Sequence, residues 1–529
     1  MAALTDEPLY SLEPGDLIEL PFLESEPPVI PLPEHLRAEY DLSFDGFTPL
    51  GMPRPVSDDD KRRLVEGFLS GMRKLLDPQD NWPFLQIFRL SLDYCTNCQT
   101  CAEQCHVYLA SGRQEIYRPT HRTEVLRRLY RRYFTAGGRI LGRFAGADIE
   151  LNHKTVIRLL ESSYRCGLCR RCAQACPVGV DNALIAREIR KLFSQEMGIA
   201  PRELFQKGTR KHLMEGSAAG MTEAGLKNII EFMEEDIHER TGRKLRIPLD
   251  RKGADILLYH NAGEFISWPD SVEAFAILFD AAGINYTLSS EAIGMDAVNY
   301  GLFFDDIELA RIGLRHLSIA RDLGVKKIVV GECGHAHKVF CVTGDRVFPD
   351  DLSLSEIPRE SCFPLFREIA DSGAVKFDPL RNNFPVTLQD PCSITRMMGI
   401  VRPQRHVINR ICPQFREMEP HGVRNYCCGG GSGFGIMRSC NFDQWKIKTS
   451  QRLKTRQVLE VFEDVINPGT RKCVIAPCSN CKGSMREIIS HYGLGEKFNI
   501  SYTGLAELMV NAMAGLPAFI RWDEEQPGE

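Results

Sequence analysis

The chain has 529 residues, 43% of them hydrophobic and 26% charged, with a formal net charge of -5. That composition excludes a disordered, fibrous or small disulfide-scaffold protein, and the slightly acidic balance argues against nucleic acid as a partner. The length suits about three or four domains, each able to bury an ordinary core.

Nineteen cysteines, together with a start (Met1 to Glu7) that has neither a basic region nor an apolar core, predict a reducing compartment where thiols stay available for metal. The best apolar run, Leu508 to Ile520, is shorter than the roughly 18 residues of a membrane span and is broken by Asn511 and Pro517. We therefore expect no direct membrane span, any contact with a membrane being made through a partner.

Ten of the 30 prolines fall between Pro8 and Pro55, so residues 1–57 are expected to form an extended proline-rich arm. The apolar cluster Leu17-Ile18-Glu19-Leu20-Pro21-Phe22-Leu23 suggests that the arm lies along another surface. From 58 to 247 apolar residues recur at three and four, as in Leu64, Phe68, Met72 and Leu75, and predict a helical domain.

That domain writes one cysteine string twice: Cys95-x2-Cys98-x2-Cys101-x3-Cys105, and Cys166-x2-Cys169-x2-Cys172-x3-Cys176 followed by Pro177. Three thiolates spaced by two residues fit three corners of an Fe4S4 cube in one loop, and the fourth cysteine usually reaches the neighbouring cube. The expected ligand sets are thus Cys95, Cys98, Cys101 with Cys176, and Cys166, Cys169, Cys172 with Cys105. Zinc or disulfides are the plainer alternatives, but structural zinc normally uses two separate Cys-x2-4-Cys pairs, and eight cysteines in two unbroken x2-x2-x3 strings do not parse that way. The first string has His106 where the second has its proline. The long helical insert between the strings resembles the all-helical ferredoxin domains of membrane-associated respiratory oxidoreductases.

Between Arg113 and Arg143 lie nine arginines and only two acidic residues. No nucleic-acid fold motif accompanies them; a solvated basic helix is the plain reading, followed by contact with an acidic subunit or lipid headgroups. Past Arg251 the pattern changes to short β-rich runs followed by helices: Asp255 to His260, Lys327 to Gly331, Pro385 to Gln389 and Cys473 to Pro477. This is α/β grammar with buried parallel strands, which place their ligands at strand ends. We expect two such regions, 252–350 and 380–516, and an acidic tail over 517–529.

Cysteines gather at those strand ends: Cys392, the vicinal pair Cys427-Cys428 before Gly429-Gly430-Gly431, and Cys478-x2-Cys481. The glycine run does not satisfy G-x-G-x-x-G, and no Walker A lysine is present. A strained vicinal disulfide or simple packing are alternatives. Five thiols are one too many for a cube, while small neighbours let adjacent cysteines reach different irons of an opened cluster. Cys341, Cys362, Cys412, Cys440 and Cys473 lack partners at ligand spacing and read as packing residues.

The pattern Cys392...Cys427-Cys428-Gly429...Cys478-Ser-Asn-Cys481 resembles the CCG cysteine-rich motif of the heterodisulfide reductase family, and with the helical two-cubane domain before it, resembles that family's fused subunit. Asp93-Tyr94-Cys95, Arg118-Pro119 and Gly331 to Ala336 are most similar to the iron-sulfur subunit of a membrane complex linked to dissimilatory sulfur metabolism.

The resemblance implies a non-cubane [4Fe-4S] cluster on Cys392, Cys427, Cys428, Cys478 and Cys481, where a sulfur-sulfur bond is cleaved or formed, fed through two cubane [4Fe-4S] clusters. The 49 residues between Cys428 and Cys478 exceed the family's usual spacing, and a helical insert around Phe442 to Val465 accounts for them. The family's subunit has two complete CCG motifs, whereas residues 255–342 look like a worn copy. There Cys333 matches Cys478, Ala336 replaces the second thiol, and Asn261 to Gly263 and Asn299 to Gly301 replace the other ligands.

The expected fold is therefore multi-domain α and α/β: an all-helical ferredoxin-like domain, then two CCG-type repeats, the first degenerate. Cys333 is a candidate catalytic thiol or extra ligand, with His335 or His337 as proton donor; a buried cysteine beside surface histidines is the plain alternative. The expected function is an iron-sulfur reductase peripheral on the cytoplasmic face of the membrane. Its implied partners are a membrane cytochrome b-type subunit and other complex subunits, its substrate a disulfide or trisulfide on a small sulfur-carrier protein. The rivals are a relay subunit of a quinone-linked glycerol-3-phosphate, glycolate or lactate dehydrogenase, and a redox-sensing scaffold.

Overall fold

A computed structural model describes residues 12–39, 44–48, 50, 54–347 and 357–522. The expected acidic tail lies, beyond residue 522, outside the described residues, as does the end of the 252–350 region. Two compact units are present, the first formed by residues 1–205, 303–307 and 429–456, the second by 206–302, 308–428 and 457–529.

The first unit is helical. Helix Asp58–Leu75 starts in a capping box between Ser57 and Asp60, and its apolar stripe buries Phe68, Met72 and Leu75. Phe68 packs on Phe193 with ring centroids 5.8 Å apart. Helix Pro119–Phe134 opens with proline at its first position, where no N–H is missed. His153–Tyr164 is capped by Asn152, and Asn182–Lys191 by the Asp181 carboxylate.

The described part of the arm contains the short helices Pro14–Asp16 and Glu34–Glu39 joined by irregular segments with a turn at Pro21-Phe22. It is held by side chains from the far end of the sequence. Arg452 grips both carboxylate oxygens of Glu26 at 2.9 and 2.8 Å, and Lys448 donates to the carbonyl of Pro27 at 2.6 Å. Further along the arm, Asp45 accepts from the Tyr117 hydroxyl at 2.9 Å and pairs with Arg165 at 3.2 Å.

The second unit contains two small parallel sheets. The first consists of β1 (Ile256–Tyr259), β2 (Tyr286–Thr287), β3 (Lys327–Val330) and β4 (Arg359–Ser361), in the order β2-β1-β3-β4. The second consists of β5 (Val386–Leu388), β6 (Phe415–Arg416), β7 (Lys472–Ile475) and β8 (Ile500–Thr503), in the order β6-β5-β7-β8. Each sheet therefore places its first strand second and its third strand third, all strands parallel. Helices covering both faces explain why β1, β5 and β7 are buried along their whole length instead of alternating. One apolar core, including Phe275, Phe366, Val386 and Leu508, serves both sheets.

Among the described residues no helix is long and apolar enough to cross a membrane. Leu508 to Ile520, the best apolar run, is instead partly the buried helix Leu505–Asn511.

Candidate iron-sulfur sites

The two cysteine strings of the first unit fold as copies of one loop. Asn97 and Gln99 in the first, and Leu168 and Arg170 in the second, have positive φ of 57°, 67°, 49° and 60°. These are the same two positions after the first cysteine of each string. Left-handed backbone at a non-glycine residue is uncommon and unfavourable unless the surroundings impose it. Here it recurs at matching positions of both strings, one on each side of Cys98 and of Cys169.

The thiols group across the strings. Burial raises Cys101 to about 11, helped by the neighbouring charges of Cys95, Cys176 and Cys98. Burial raises Cys105 to about 12, with Cys166 and Cys169 adding to it and Arg122 opposing. Cys172 is pushed well above its usual value by burial and by Cys166, Cys169 and Cys105. Cys176 thus lies with the first string and Cys105 with the second. Groups of four thiols whose charges oppose one another fit a polynuclear iron site, which holds its ligands as thiolates.

In the second group, buried Arg190 donates to the carbonyl of Cys166 at 2.7 Å, and in the first the Val180 N–H donates to the Cys176 sulfur at 3.2 Å. His106 Nδ1 lies 4.0 Å from the Cys169 sulfur. Sequence reasoning treated His106 only as a missing proline; the structure turns its ring toward the other string.

In the second unit, Cys478 follows β7 and Cys481 lies in the first turn of helix Ser479–Tyr492. The Cys481 and Cys428 sulfurs are 3.4 Å apart. Donating its S–H to Cys428 and Cys478, with burial, holds Cys481 well above its usual value, while accepting from Cys481 draws Cys478 down despite burial. Gln389 Nε2 approaches the Cys481 sulfur at 3.8 Å, and the Ser484 hydroxyl donates to the Cys428 carbonyl. Cys392 lies just past the end of β5, the strand paired directly with β7. Cys427, buried like Cys428, is its immediate chain neighbour. The structure thus brings Cys428, Cys478 and Cys481 into contact, with Cys392 and Cys427 at adjoining backbone positions.

The loop after β3 closes on this group. Tyr259 pairs with Val330 in the first sheet and Leu388 with Ile475 in the second. Counting onward from those pairs sets Cys333 level with Cys478, Ala336 with Cys481 and Gly263 with Cys392. The Gly334 N–H donates to the Cys478 sulfur at 3.2 Å. Cys333 is fully buried, and its sulfur caps the following helical turn by accepting the Ala336 N–H at 3.4 Å. Burial, Glu264 and Cys478 together raise its thiol far above the ordinary range.

His335 is buried, and burial, then Lys338, lowers it to about 3, with Cys428 pulling the other way. Its ring is neutral at pH 7. His337 is also buried; it bonds the Cys333 carbonyl at 2.8 Å and the Ser361 hydroxyl at 2.9 Å. Neither histidine is on the surface.

Beneath the loop, Glu332 accepts the N–H groups of Leu505 and Ala506, both at 2.9 Å, and burial followed by Glu507 raises its carboxyl to about 8. Lys482, next to Cys481, pairs with Glu507 at 2.5 Å. None of Gln389, Gly334 or Glu332 carried a signal in spacing, since each acts through the turn that delivers it.

The 4Fe-4S dicluster domain model matches residues 91–180, and the cysteine-rich domain model, CCG, matches residues 386–486. The Hdr-like menaquinol oxidoreductase iron-sulfur subunit 2 of Archaeoglobus fulgidus is 29% identical over 406 residues, covering 70% of this chain and 71% of the relative. The Hdr-like menaquinol oxidoreductase iron-sulfur subunit of Archaeoglobus profundus is 27% identical over 387 residues, covering 65% of this chain and 68% of the relative. A subunit of the dihydromethanophenazine:CoB–CoM heterodisulfide reductase of Methanosarcina acetivorans is 23% identical over 357 residues, covering 65% of this chain and 79% of the relative. With two thiol groups under the dicluster match and a third under the cysteine-rich match, the chain carries both domains and is similar to heterodisulfide reductase-like iron-sulfur subunits.

Proposed function

We propose that the chain is the iron-sulfur subunit of a membrane-associated oxidoreductase complex, and that it reduces or forms a sulfur-sulfur bond. Cys95, Cys98, Cys101 and Cys176 hold one cubane [4Fe-4S] cluster; Cys166, Cys169, Cys172 and Cys105 hold another; Cys392, Cys427, Cys428, Cys478 and Cys481 hold a non-cubane [4Fe-4S] cluster. When bound, the cubanes supply one-electron relay and the third cluster an open iron that accepts sulfur. The observation that carries this reading is the approach of Cys428 and Cys481 to 3.4 Å beside Cys478.

The chain's residues have separable parts in it. Domain roles follow the thiols: 58–247 as the two-cubane domain, 380–516 as the CCG domain, and 252–350 as a degenerate CCG repeat whose strand order matches its partner's. In that repeat Cys333 remains as a neutral thiol facing Cys478, a candidate partner for a substrate sulfur. His335 donates a hydrogen bond from its neutral ring instead of a proton from an imidazolium, because burial keeps it uncharged. The Gly334 N–H stabilises negative charge on the Cys478 sulfur. Lys482 balances Glu507 and Glu332 beneath the site.

The natural substrate in this reading is a protein-borne disulfide or trisulfide on a small carrier, with electrons exchanged through a cytochrome b-type membrane subunit. The relatives' names, a menaquinol oxidoreductase and a heterodisulfide reductase, support that pairing.

The test is electron paramagnetic resonance of the anaerobically prepared chain titrated with a substrate thiol. A new or shifted signal that disappears in Cys428→Ala supports the reading. A spectrum indifferent to thiols, with unhindered electron transfer to a flavoprotein, assigns the chain to the relay role of a quinone-linked dehydrogenase.

A further inference from the structure

The arginine-rich segment ends in a tip that the redox chemistry does not use. After helix Pro119–Phe134 the chain turns into Ala136–Leu141 and the short turn Gly142–Ala145. On this tip Ile140 is 81% exposed, Leu141 56% and Phe144 82%. Arg132, Arg139 and Arg143 are exposed around them, the Arg143 guanidinium 5.0 Å from the Phe144 ring. From Val125 to Ala147 there are six arginines and no acidic residue. Arg127 and Arg128 share the one Glu124 carboxylate, while the exposed Arg132, Arg139 and Arg143 carry charge at the tip. Asp148 and Glu150, the next acids in the chain, follow at its base.

The tip is braced. Thr135 Oγ1 accepts the Gly138 N–H at 3.1 Å and donates to the Arg131 carbonyl at 2.8 Å. Arg139 Nη2 donates to the Tyr133 carbonyl at 2.6 Å, and the Tyr133 hydroxyl accepts the Leu151 N–H at 3.2 Å. A methyl group at Gly138 would lie 1.9 Å from the Arg131 carbonyl oxygen, so the turn closes only with glycine there. A braced backbone is thus presenting three large apolar side chains to water beside exposed arginines.

We propose that this tip inserts into the headgroup layer of an anionic phospholipid bilayer. Apolar side chains reach the acyl boundary while arginines remain with the phosphates, which is the chemistry of an interfacial anchor. Three protruding apolar residues with neighbouring charge of one sign suit shallow insertion into an anionic headgroup layer. The inference does not rest on the sulfur chemistry, and it adds a contact made by this chain to any made through a membrane subunit.

The test is co-sedimentation of the full chain with vesicles of equal parts phosphatidylglycerol and phosphatidylcholine, and with phosphatidylcholine alone. The wild-type chain is expected to sediment with the anionic vesicles only, more weakly as salt rises. Ile140→Ser/Leu141→Ser/Phe144→Ser is expected to weaken partitioning by about tenfold or more. Arg132→Gln/Arg139→Gln/Arg143→Gln is expected to weaken it on the order of a hundredfold, at about fivefold per arginine. Unchanged visible absorption of the iron-sulfur centres shows that each variant is folded. The proposal is overturned if the wild type ignores anionic vesicles, binds neutral ones equally, or binds as well after the serine substitutions. It is also overturned if those substitutions instead release an integral-membrane partner from a wild-type chain that ignores lipid, which assigns the tip to a protein.

Discussion

The backbone N–H of Gly334 points at the Cys478 sulfur from 3.2 Å, and a methyl group built on Gly334 would stand 2.9 Å from that sulfur. Gly334→Ala therefore forces the loop after β3 away from the cysteine group, at a cost of about 1–3 kcal/mol. The variant is expected to change the paramagnetic spectrum of the third site while leaving the signals of the two cubane sites intact. An unaltered spectrum would remove the loop from the site.

Arg190 is a fully buried charge of the first unit. It donates to the carbonyls of Ser163 at 2.8 Å and Cys166 at 2.7 Å and to the Ser432 hydroxyl at 2.6 Å, with its guanidinium 4.2 Å from the Tyr164 ring. Burial lowers even this group to about 10. Arg190→Met leaves those acceptors undonated, and is expected to cost about 3 kcal/mol in thermal or denaturant unfolding. Removing a positive charge beside Cys166 should also make the second cubane harder to reduce, which redox titration of its signal measures.

The arm's anchorage predicts a proteolysis pattern. Burial raises the Glu26 carboxyl, but Arg452 and Lys448 outweigh it and hold it below its usual value. Its contribution is thus present above about pH 4.5 and is lost as pH falls through the lowered value. Glu26→Ala leaves the buried Arg452 without its carboxylate, costing about 1–2 kcal/mol after allowance for solvent on the half-buried partner. Limited proteolysis should then cut within the arm several times faster, with the rest of the chain resistant.

His316 predicts a pH effect. Its Nε2 bonds the Ile293 carbonyl at 2.7 Å, its ring packs on Tyr259 and Phe340, and His212 and Asp296 are the titratable groups beside it. Burial, then His212, lowers it from 6.5 to about 4. The unfolded chain takes up the proton first, so stability is full above pH 6.5 and falls as pH drops toward 4, by up to about 3 kcal/mol. His316→Gln should flatten the unfolding free energy between pH 6.5 and 4 relative to wild type. A parallel pair of curves would contradict the assignment.

The family resemblance was legible because cysteine spacing is chemistry written in one dimension: five loops and strand ends carry the ligand types in order, and the family comparisons agree with that reading. The α/β character was equally visible, since buried parallel strands such as Ile256–Tyr259 are continuous apolar runs. Other features depend on contacts between distant positions. The partnership of Glu26 with Arg452 spans 426 positions, and no local pattern in the arm announces it. The left-handed turns at Leu168 and Arg170 fall on residues that ordinarily avoid that region, so spacing alone gave no warning. The alternative of surface positions for His335 and His337 stood open because a basic, polar pentad after a strand is usually solvated. Packing around Cys333 buries both.

The most direct measurement is iron and acid-labile sulfide per chain, determined anaerobically on wild type and on Cys428→Ala/Cys481→Ala, with zinc assayed in parallel. Two cubanes and a third four-iron cluster predict about 12 irons in the wild type and about eight in the variant. Zinc in the wild-type chain, or an iron content that the double substitution leaves unchanged, would contradict the account.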